Sequence, residues 1–457
     1  MNIMSDAFEN KSSMDEVLAQ LNHIQENEEL EFVWSRCEEC ISTIYAPKVN
    51  DGNDRPCEEA DFEHYKPVAE NTFQTLKNVL LKLTAVSSSK KVRKSFVLSL
   101  LVLCGEHCYG GLWTTSKTVI LSNEILELLC CLCGYRSAGH LLIGESVNDT
   151  TDLAPMFKPA LLALRPKLLK ETWKSYPSAV ACYKWLLLQM KSPHLSDHLN
   201  IILPTALIIL DDYVPENRIC GIECIHHIVD NVSRASLGWY GQGDVIYKAL
   251  EPILYVREVA QVRPLIRCMA TVLDKVEGGY HNEDKKIQWS RFDDTLFIIL
   301  QTMELEQRCD LRLAYIESLP LLLESMGLNL VRWSKRLLRV IQEYLEVAAY
   351  SDMNTAKYAL LALQVYFRKC ESRIAHHFNI LISMLLRMLY DITSNSNQIV
   401  NRNESDAVHK DVLHLVEDCL TVVIKNAPEQ SNLIRTDIKT RARFNENFSS
   451  VIDRVFA

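Results

Sequence analysis

Three groups of cysteine and histidine have spacings at which side chains can share a metal or act as nucleophiles. Cys37-x-x-Cys40 has the spacing of half a zinc site. No second pair follows at a matching distance, and two thiols at i and i+3 on a helix fit core packing as well. Cys104-Gly-Glu-His107-Cys108 and Cys220-x-x-x-Cys224-x-His226-His227 each put soft ligands on one helical face. A structural zinc site needs four such ligands in a tetrahedron, and the sequence does not bring the clusters together. A thiol nucleophile such as Cys108 has no particular histidine singled out as its base. The chain contains no His-Glu-x-x-His, no Gly-x-Ser-x-Gly elbow and no Walker phosphate loop. Gly241-Gln-Gly243 lacks a third glycine and a preceding strand. The expectation is a chain with no catalytic residues, no metal and no cofactor.

Two polar clusters are better suited to contact than to catalysis. Asp211, Asp212, Tyr213, Glu216 and Asn217 form a dense acidic turn. On a repeat protein such a turn can be a partner-binding ridge, since loops line one edge. It can equally serve as turn and helix cap, the reading favoured here. Arg332, Trp333, Lys335 and Arg336, with Arg339, are basic around one aromatic. Such a run is usually a solvated helix face, with docking of an acidic partner segment as the other possibility. Trp173 and Trp185 read as core anchors.

The elements that must position these residues are helical. Of 457 residues, only 14 are Gly and 14 are Pro, too few turn-formers for a sandwich or barrel of short strands. Residues 13–44 read as helix, opened by Ser13 and Glu16 in capping-box spacing. Residues 46–66 lack apolar periodicity and read as a mobile loop, so 1–66 is an acidic N-terminal segment. From 67 to 457, helical stretches alternate with short breaks. Residues 203–229 show the unit: a helix carrying Pro204, an acidic turn, then a second helix with Arg218 near its start and a small residue, Gly221, three positions on. Gly221 should let neighbouring helices approach closely. Arg218 is echoed by Arg263, Arg312 and Lys357, at spacings of 45, 49 and 45 residues. That period, with two helices each, predicts an all-α, HEAT-like or armadillo-like α-solenoid of antiparallel helix pairs. Residues 231–244, 277–289 and 392–407 read as loops between repeats.

Charge narrows the partner class. The formal net charge is −9, and residues 1–66 hold 16 acidic against 5 basic side chains, a net of −11. The remainder is nearly neutral, so nothing resembles the basic body of a nucleic-acid binder. The longest apolar runs, Ser95–Cys104 and Ile201–Leu210, fall short of a membrane span. The polar N-terminus and 15 cysteines point to reduced thiols in the cytoplasm and nucleus.

Three stretches carry a resemblance. They are Lys170-Glu171-Thr172-Trp173-Lys174, then Asp211-Asp212-Tyr213-x-x-Glu216-Asn217-x-Ile219-x-Gly221-x-x-Cys224-x-His226-His227-Ile228-Val229-x-Asn231-Val232, and Tyr344-Leu345-Glu346-Val347. In these the chain resembles the Tel-two-interacting protein two family, over roughly residues 150–390. The resemblance implies a non-enzymatic helical-repeat subunit of the Triple T complex, joined to the Tel-two protein and the Tel-two-interacting protein one. It further implies a co-chaperone role with the ninety-kilodalton heat-shock chaperone machinery, maturing phosphatidylinositol-3-kinase-related kinases of DNA-damage and growth signalling. The family brings no catalytic residues to carry over. The competing expectation is a HEAT-repeat transport or trafficking adaptor, which would show a Trp/Asn ladder along an inner groove. No such ladder is present.

Overall fold

Helices make up all the regular structure of the described residues (27–49, 57–86, 92–146, 153–278, 289–395, 403–442 and 446–456) in this computed structural model. The chain divides into two compact units, Met1–Ser233 and Arg234–Ala457. Both are built as the all-α HEAT-like solenoid that the period predicts.

The first unit contains α1 (Asn27–Thr43), α2 (Tyr65–Val86), α3 (Lys94–His107), α4 (Ser116–Cys133), α5 (Ala138–Ile143), α6 (Phe157–Leu164), α7 (Pro177–Gln189), α8 (Leu199–Leu210) and α9 (Pro215–Asn231). One row runs α1, α3, α7, α9, each packed on the next, while α2 lies against α4 and α8 against α9. The sequence of α3 explains its place. It is apolar almost all round, the pattern of a helix covered on every side, and α1, α4, α6 and α7 cover it. Its buried Phe96, Leu100, Leu101 and Leu103 are each worth about 1.5–3 kcal/mol against exposure. Thr115 caps α4 by accepting from the Thr118 N–H at 3.2 Å. Gly134 ends α4 at φ 75°, a left-handed turn that favours glycine.

The second unit contains α10 (Arg234–Gly238), α11 (Gln242–Leu250), α12 (Val259–Leu273), α13 (Arg291–Leu305), α14 (Cys309–Met326), α15 (Ser334–Ser351), α16 (Met353–Lys369), α17 (Phe378–Asn395), α18 (Asn403–Asn426), α19 (Pro428–Ala442) and α20 (Glu446–Val455). Two rows stack side by side: α12, α14, α16, α18 and α13, α15, α17. Each row member packs on the next, so no helix pair has to bury its apolar face alone.

The repeating basic residue has a consistent job in two of its positions. Arg218 donates from Nε to the Asp212 carbonyl at 2.9 Å, and Arg312 from Nη1 to the Glu306 carbonyl at 3.1 Å. Both reach back six residues and tie the helix to the acidic turn before it. Arg263 and Lys357 instead bridge to the next helix of their row, at Glu317 and Asp411.

Several expectations change. Residues 231–244 are not a loop, because α10, a 3-10 turn at Trp239–Gly241 and the start of α11 fill them. Val232 and Leu237 are buried there, with Ile246 just beyond, and that packing overrides the local Ser, Gly and Asn content. In the expected loop 46–66, a 3-10 turn spans Glu59–Phe62 and α2 begins at Tyr65. Phe62 is fully buried and Tyr65 nearly so. The proline of the first helix is present as Pro204 in α8, but Pro264 and Pro320 lie in α12 and α14, the helices that carry the basic residue. The Ser13–Glu16 box, residues 50–56 of the expected 46–66 loop, residues 279–288 and residues 396–402 fall outside the described residues, and α17 and α18 take up the rest of 392–407.

Candidate functional site

The first unit has a broad cleft of about 2250 Å³. Its walls come from chain segments far apart in sequence: Lys48 and Val49, the loop 109–116 with the start of α4, the loop 170–175, one face of α7, and the turn 212–214 leading into α9. The two longer stretches that carry the family resemblance therefore face one space.

Asp212 holds these walls together. It is 4% exposed, and a buried carboxylate needs its lone pairs met. One oxygen accepts from Lys174 Nζ at 2.9 Å and from the Tyr213 N–H at 2.9 Å. The other accepts from Asn217 Nδ2 at 2.7 Å. Asp212 does not cap α9, whose N-cap is Val214 with Pro215 following. A proline at the first helical position needs no N–H partner, which frees the carboxylate to join two loops. The Lys174 ammonium also lies 4.8 Å from the Tyr213 ring centre and 5.8 Å from that of Trp173, a cation–π arrangement. Trp173 is buried, as is Trp185, in keeping with core anchors. The Val49 N–H donates to the Ser175 carbonyl at 3.0 Å and fixes the outer edge of the 170–175 loop.

The opposite wall is aromatic and aliphatic. Trp113 donates from Nε1 to the Glu106 carbonyl at 2.8 Å and packs over Gly111, where a Cβ would lie 2.8 Å from the indole. Tyr109, Leu112 and Ile120 are exposed at this wall, and Tyr213 is 60% exposed across from them. Lys184 of α7 pairs with Glu223 of α9. A cleft with apolar tips and charge of both signs is suited to holding a polypeptide surface.

The expected site residues separate. Asp212, Tyr213, Glu216 and Asn217 line the cleft, while Asp211 does not. Arg332, Trp333 and Arg336 belong to the second unit and are engaged with its own carboxylates. Trp333 Nε1 and Arg332 Nη1 donate to the two oxygens of fully buried Asp293, at 2.7 and 3.1 Å. Arg336 makes a two-pronged contact with Glu304 at 2.9 and 2.8 Å, and Arg339 reaches the same carboxylate at 2.6 Å. Arg332, Lys335 and Arg339 stay exposed on this face, while Arg332, Trp333, Arg336 and Arg339 tie their segment to α13. Tyr109, Leu112, Ile120, Lys184 and Glu223 were not singled out by sequence. Their shared surface comes from tertiary packing, and no local pattern marks it.

The cysteine and histidine clusters have structural surroundings. Among the described residues, no group of three or more His, Cys, Asp or Glu is placed to hold a metal ion. Burial pushes the thiols of Cys37 and Cys108 up to about 12, and that of Cys104 well above the ordinary value. Thiols held protonated in this way are poor nucleophiles. His107 is fully buried, with Nε2 at 2.8 Å from the Tyr65 hydroxyl, which itself donates to the Ile44 carbonyl at 2.8 Å. Nε2 therefore carries the hydrogen. Burial lowers the His107 pKa to about 3. His227 is pinned through Nε2 to the Met190 carbonyl at 2.8 Å, with Asn231 Nδ2 at 3.4 Å from Nδ1.

The Tti2 family model matches residues 160–352, which include the 170–175 loop, α7 and α9. Residues 160–352 belong to the Tti2 family. Curated relatives extend the Tti2 likeness beyond this region. TELO2-interacting protein 2 of Rattus norvegicus is 32% identical over 312 residues, covering 68% of this chain and 59% of the relative. The Homo sapiens protein of the same name is 31% identical over 312 residues, covering 68% of this chain and 60% of its own length. The chain thus spans about three fifths of these Tti2 relatives. A crystal structure of importin beta matches with a TM-score of 0.52 at 11% identity, covering 97% of this chain and 51% of that one. At that identity the likeness concerns the solenoid fold alone.

Proposed function

We propose that this chain is a non-enzymatic scaffold subunit of the Triple T co-chaperone assembly, and that the cleft of its first unit is a docking surface for a protein partner. The partners are the Tel-two protein and the Tel-two-interacting protein one. Through them the chain serves the ninety-kilodalton heat-shock chaperone machinery and the maturation of phosphatidylinositol-3-kinase-related kinases, in cytoplasm and nucleus. The observation that carries the reading is the convergence of Lys170–Lys174 and Asp212–His227 on one cleft within the Tti2-matched residues. The relatives are named for an interaction with TELO2, which supports the first partner.

The test is affinity purification of the tagged chain from its own cells, with partners identified and quantified by mass spectrometry. Recovery of both helical-repeat partners in near-equal amounts supports the assembly. A chain recovered alone, or with transport cargo, overturns it. The cleft is tested separately with Ile120→Asp and Tyr213→Ser, exposed positions at its two walls. Each should reduce partner recovery about tenfold, the cost of losing a contact worth about 1.4 kcal/mol. Leu433→Ser, at an 83% exposed position of the second unit, should leave recovery unchanged. If both cleft variants recover partners fully, docking belongs to another face.

A further inference from the structure

Two helices line the cleft lengthwise, and each offers it a stripe at helical spacing. From α9 come Glu216, Cys220, Glu223, His227 and Asp230, alternately four and three residues apart, so they share one face of the helix. From α7 come Pro177, Val180, Ala181, Lys184 and Leu188. The two helices pack on each other. From Glu216 to Asp230, at about 1.5 Å per residue, the lined face runs about 21 Å. A helix of that length, about 10–12 Å across with its side chains, fills about 1600–2400 Å³. The cleft volume of about 2250 Å³ is therefore that of one further helix.

Charge on this face has one sign. Glu216, Glu223 and Asp230 are exposed and stand seven residues apart, about two helical turns. Lys184 pairs with Glu223. Glu216 and Asp230 have no ion-pair partner among the described residues. The one arginine of α9, Arg218, is bound to the Asp212 carbonyl. The other lysines of the lining, Lys48, Lys170 and Lys174, belong to loops. The wall beyond is apolar, with Tyr109, Leu112 and Ile120 exposed.

We propose that the cleft takes an amphipathic helix of a partner protein, one that sets apolar residues against Tyr109, Leu112 and Ile120 and lysines or arginines beside Glu216 and Asp230. The inference rests on the docking reading of the cleft and adds the shape and charge of what docks. Basic residues seven apart on a helix lying along α9 repeat in step with its carboxylates, about 10.5 Å apart. An extended segment puts same-side residues about 6.6 Å apart and falls out of step. Apolar anchors seated in a groove between helices, with charge at the edge setting orientation, are the helix-in-groove mode of recognition.

The experiment titrates the folded full chain into a labelled synthetic peptide of about 18 residues, helical by design, with leucine along one face and lysines seven residues apart on its flank. Fluorescence anisotropy reads binding at about 50 and about 300 mM salt. The lysine peptide should bind at least about tenfold tighter than the same peptide with glutamate for lysine, and the gap should shrink at higher salt. In the double variant Glu216→Lys, Asp230→Lys the preference should invert, while Ile120→Asp should weaken both peptides. Equal binding of the two peptides, binding of neither, or a preference unmoved by charge reversal overturns the proposal. Should the reversal disturb folding, Glu216→Gln with Asp230→Asn should abolish the preference, and its retention overturns the proposal. Partner recovery with the same variants separates this inference from the docking reading. Partners lost in Ile120→Asp but kept in the charge-reversed chain leave the cleft a docking surface and overturn the basic helix. Partners kept in both overturn the docking reading and this inference together.

Discussion

Replacing Gly221 with alanine tests the repeat packing at its tightest point. A Cβ on Gly221 would lie 2.5 Å from the Leu210 nitrogen, 2.6 Å from its Cα and 3.0 Å from its Cβ. Carbon atoms in good contact stand about 3.5–4.0 Å apart. The obstructing atoms are mostly backbone, so no rotamer change relieves the clash and α8 must move about 1 Å from α9. Overpacking of this kind costs about 1–3 kcal/mol, and a rigid neighbour puts it near the upper end. Alanine returns about 1 kcal/mol through its higher helix propensity. The net expectation is a loss of about 2 kcal/mol. Urea unfolding followed by tryptophan fluorescence reads this out, since Trp173 and Trp185 are buried in the same unit. The midpoint should fall with an unchanged slope. Gly238→Ala is the control: Gly238 has φ −71° and nothing within 4 Å of its Cβ position. It should gain about 0.5–1 kcal/mol. If Gly221→Ala proves as stable as the parent chain, the small residue is incidental and α8 and α9 do not meet as described.

Other perturbations separate buried from surface electrostatics. Asp293→Ala should cost about 3 kcal/mol in chemical unfolding, because the Trp333 indole and Arg332 lose a fully buried acceptor. Glu304→Ala, removing a half-buried partner of Arg336 and Arg339, both of which keep access to water, should cost about 1 kcal/mol, well under the Asp293 loss. Equal losses for the two would refute the distinction. His107 makes stability fall with acid. The unfolded imidazole binds a proton below its ordinary value near 6.5, while the buried one stays neutral down to about 3. The unfolded state therefore binds more protons between these values, and this residue removes about 1.4 kcal/mol of stability per pH unit as pH falls through that window. His107→Gln should flatten this part of the stability-versus-pH curve. An unchanged slope would place the acid sensitivity elsewhere.

Local chemistry made much of the architecture legible. Sparse glycine and proline with regular apolar spacing predict helices, and the Arg218, Arg263, Arg312 and Lys357 series gives the repeat period. Gly221 is legible because its effect is local, the lack of a Cβ, whereas the start of α9 at Pro215, with no acidic cap, is not read from the sequence. The burial of Trp173 and Trp185 follows from their size. Residues 231–244 misled because their polar composition is a local signal, while Leu237 and Ile246 are held helical by distant packing. The basic run at Arg332–Arg339 looks free in one dimension because its carboxylates, Asp293 and Glu304, lie more than 30 residues earlier. The cleft is wholly tertiary. Lys174 meets Asp212 across 38 residues of chain, and Ile120 and Tyr213 share a space that no spacing rule connects. Sequence by itself determined the long, strongly periodic helices and how often the unit repeats, since both depend on neighbours within a few turns. Only the folded solenoid decided which side chains face each other, because that depends on how successive helices stack.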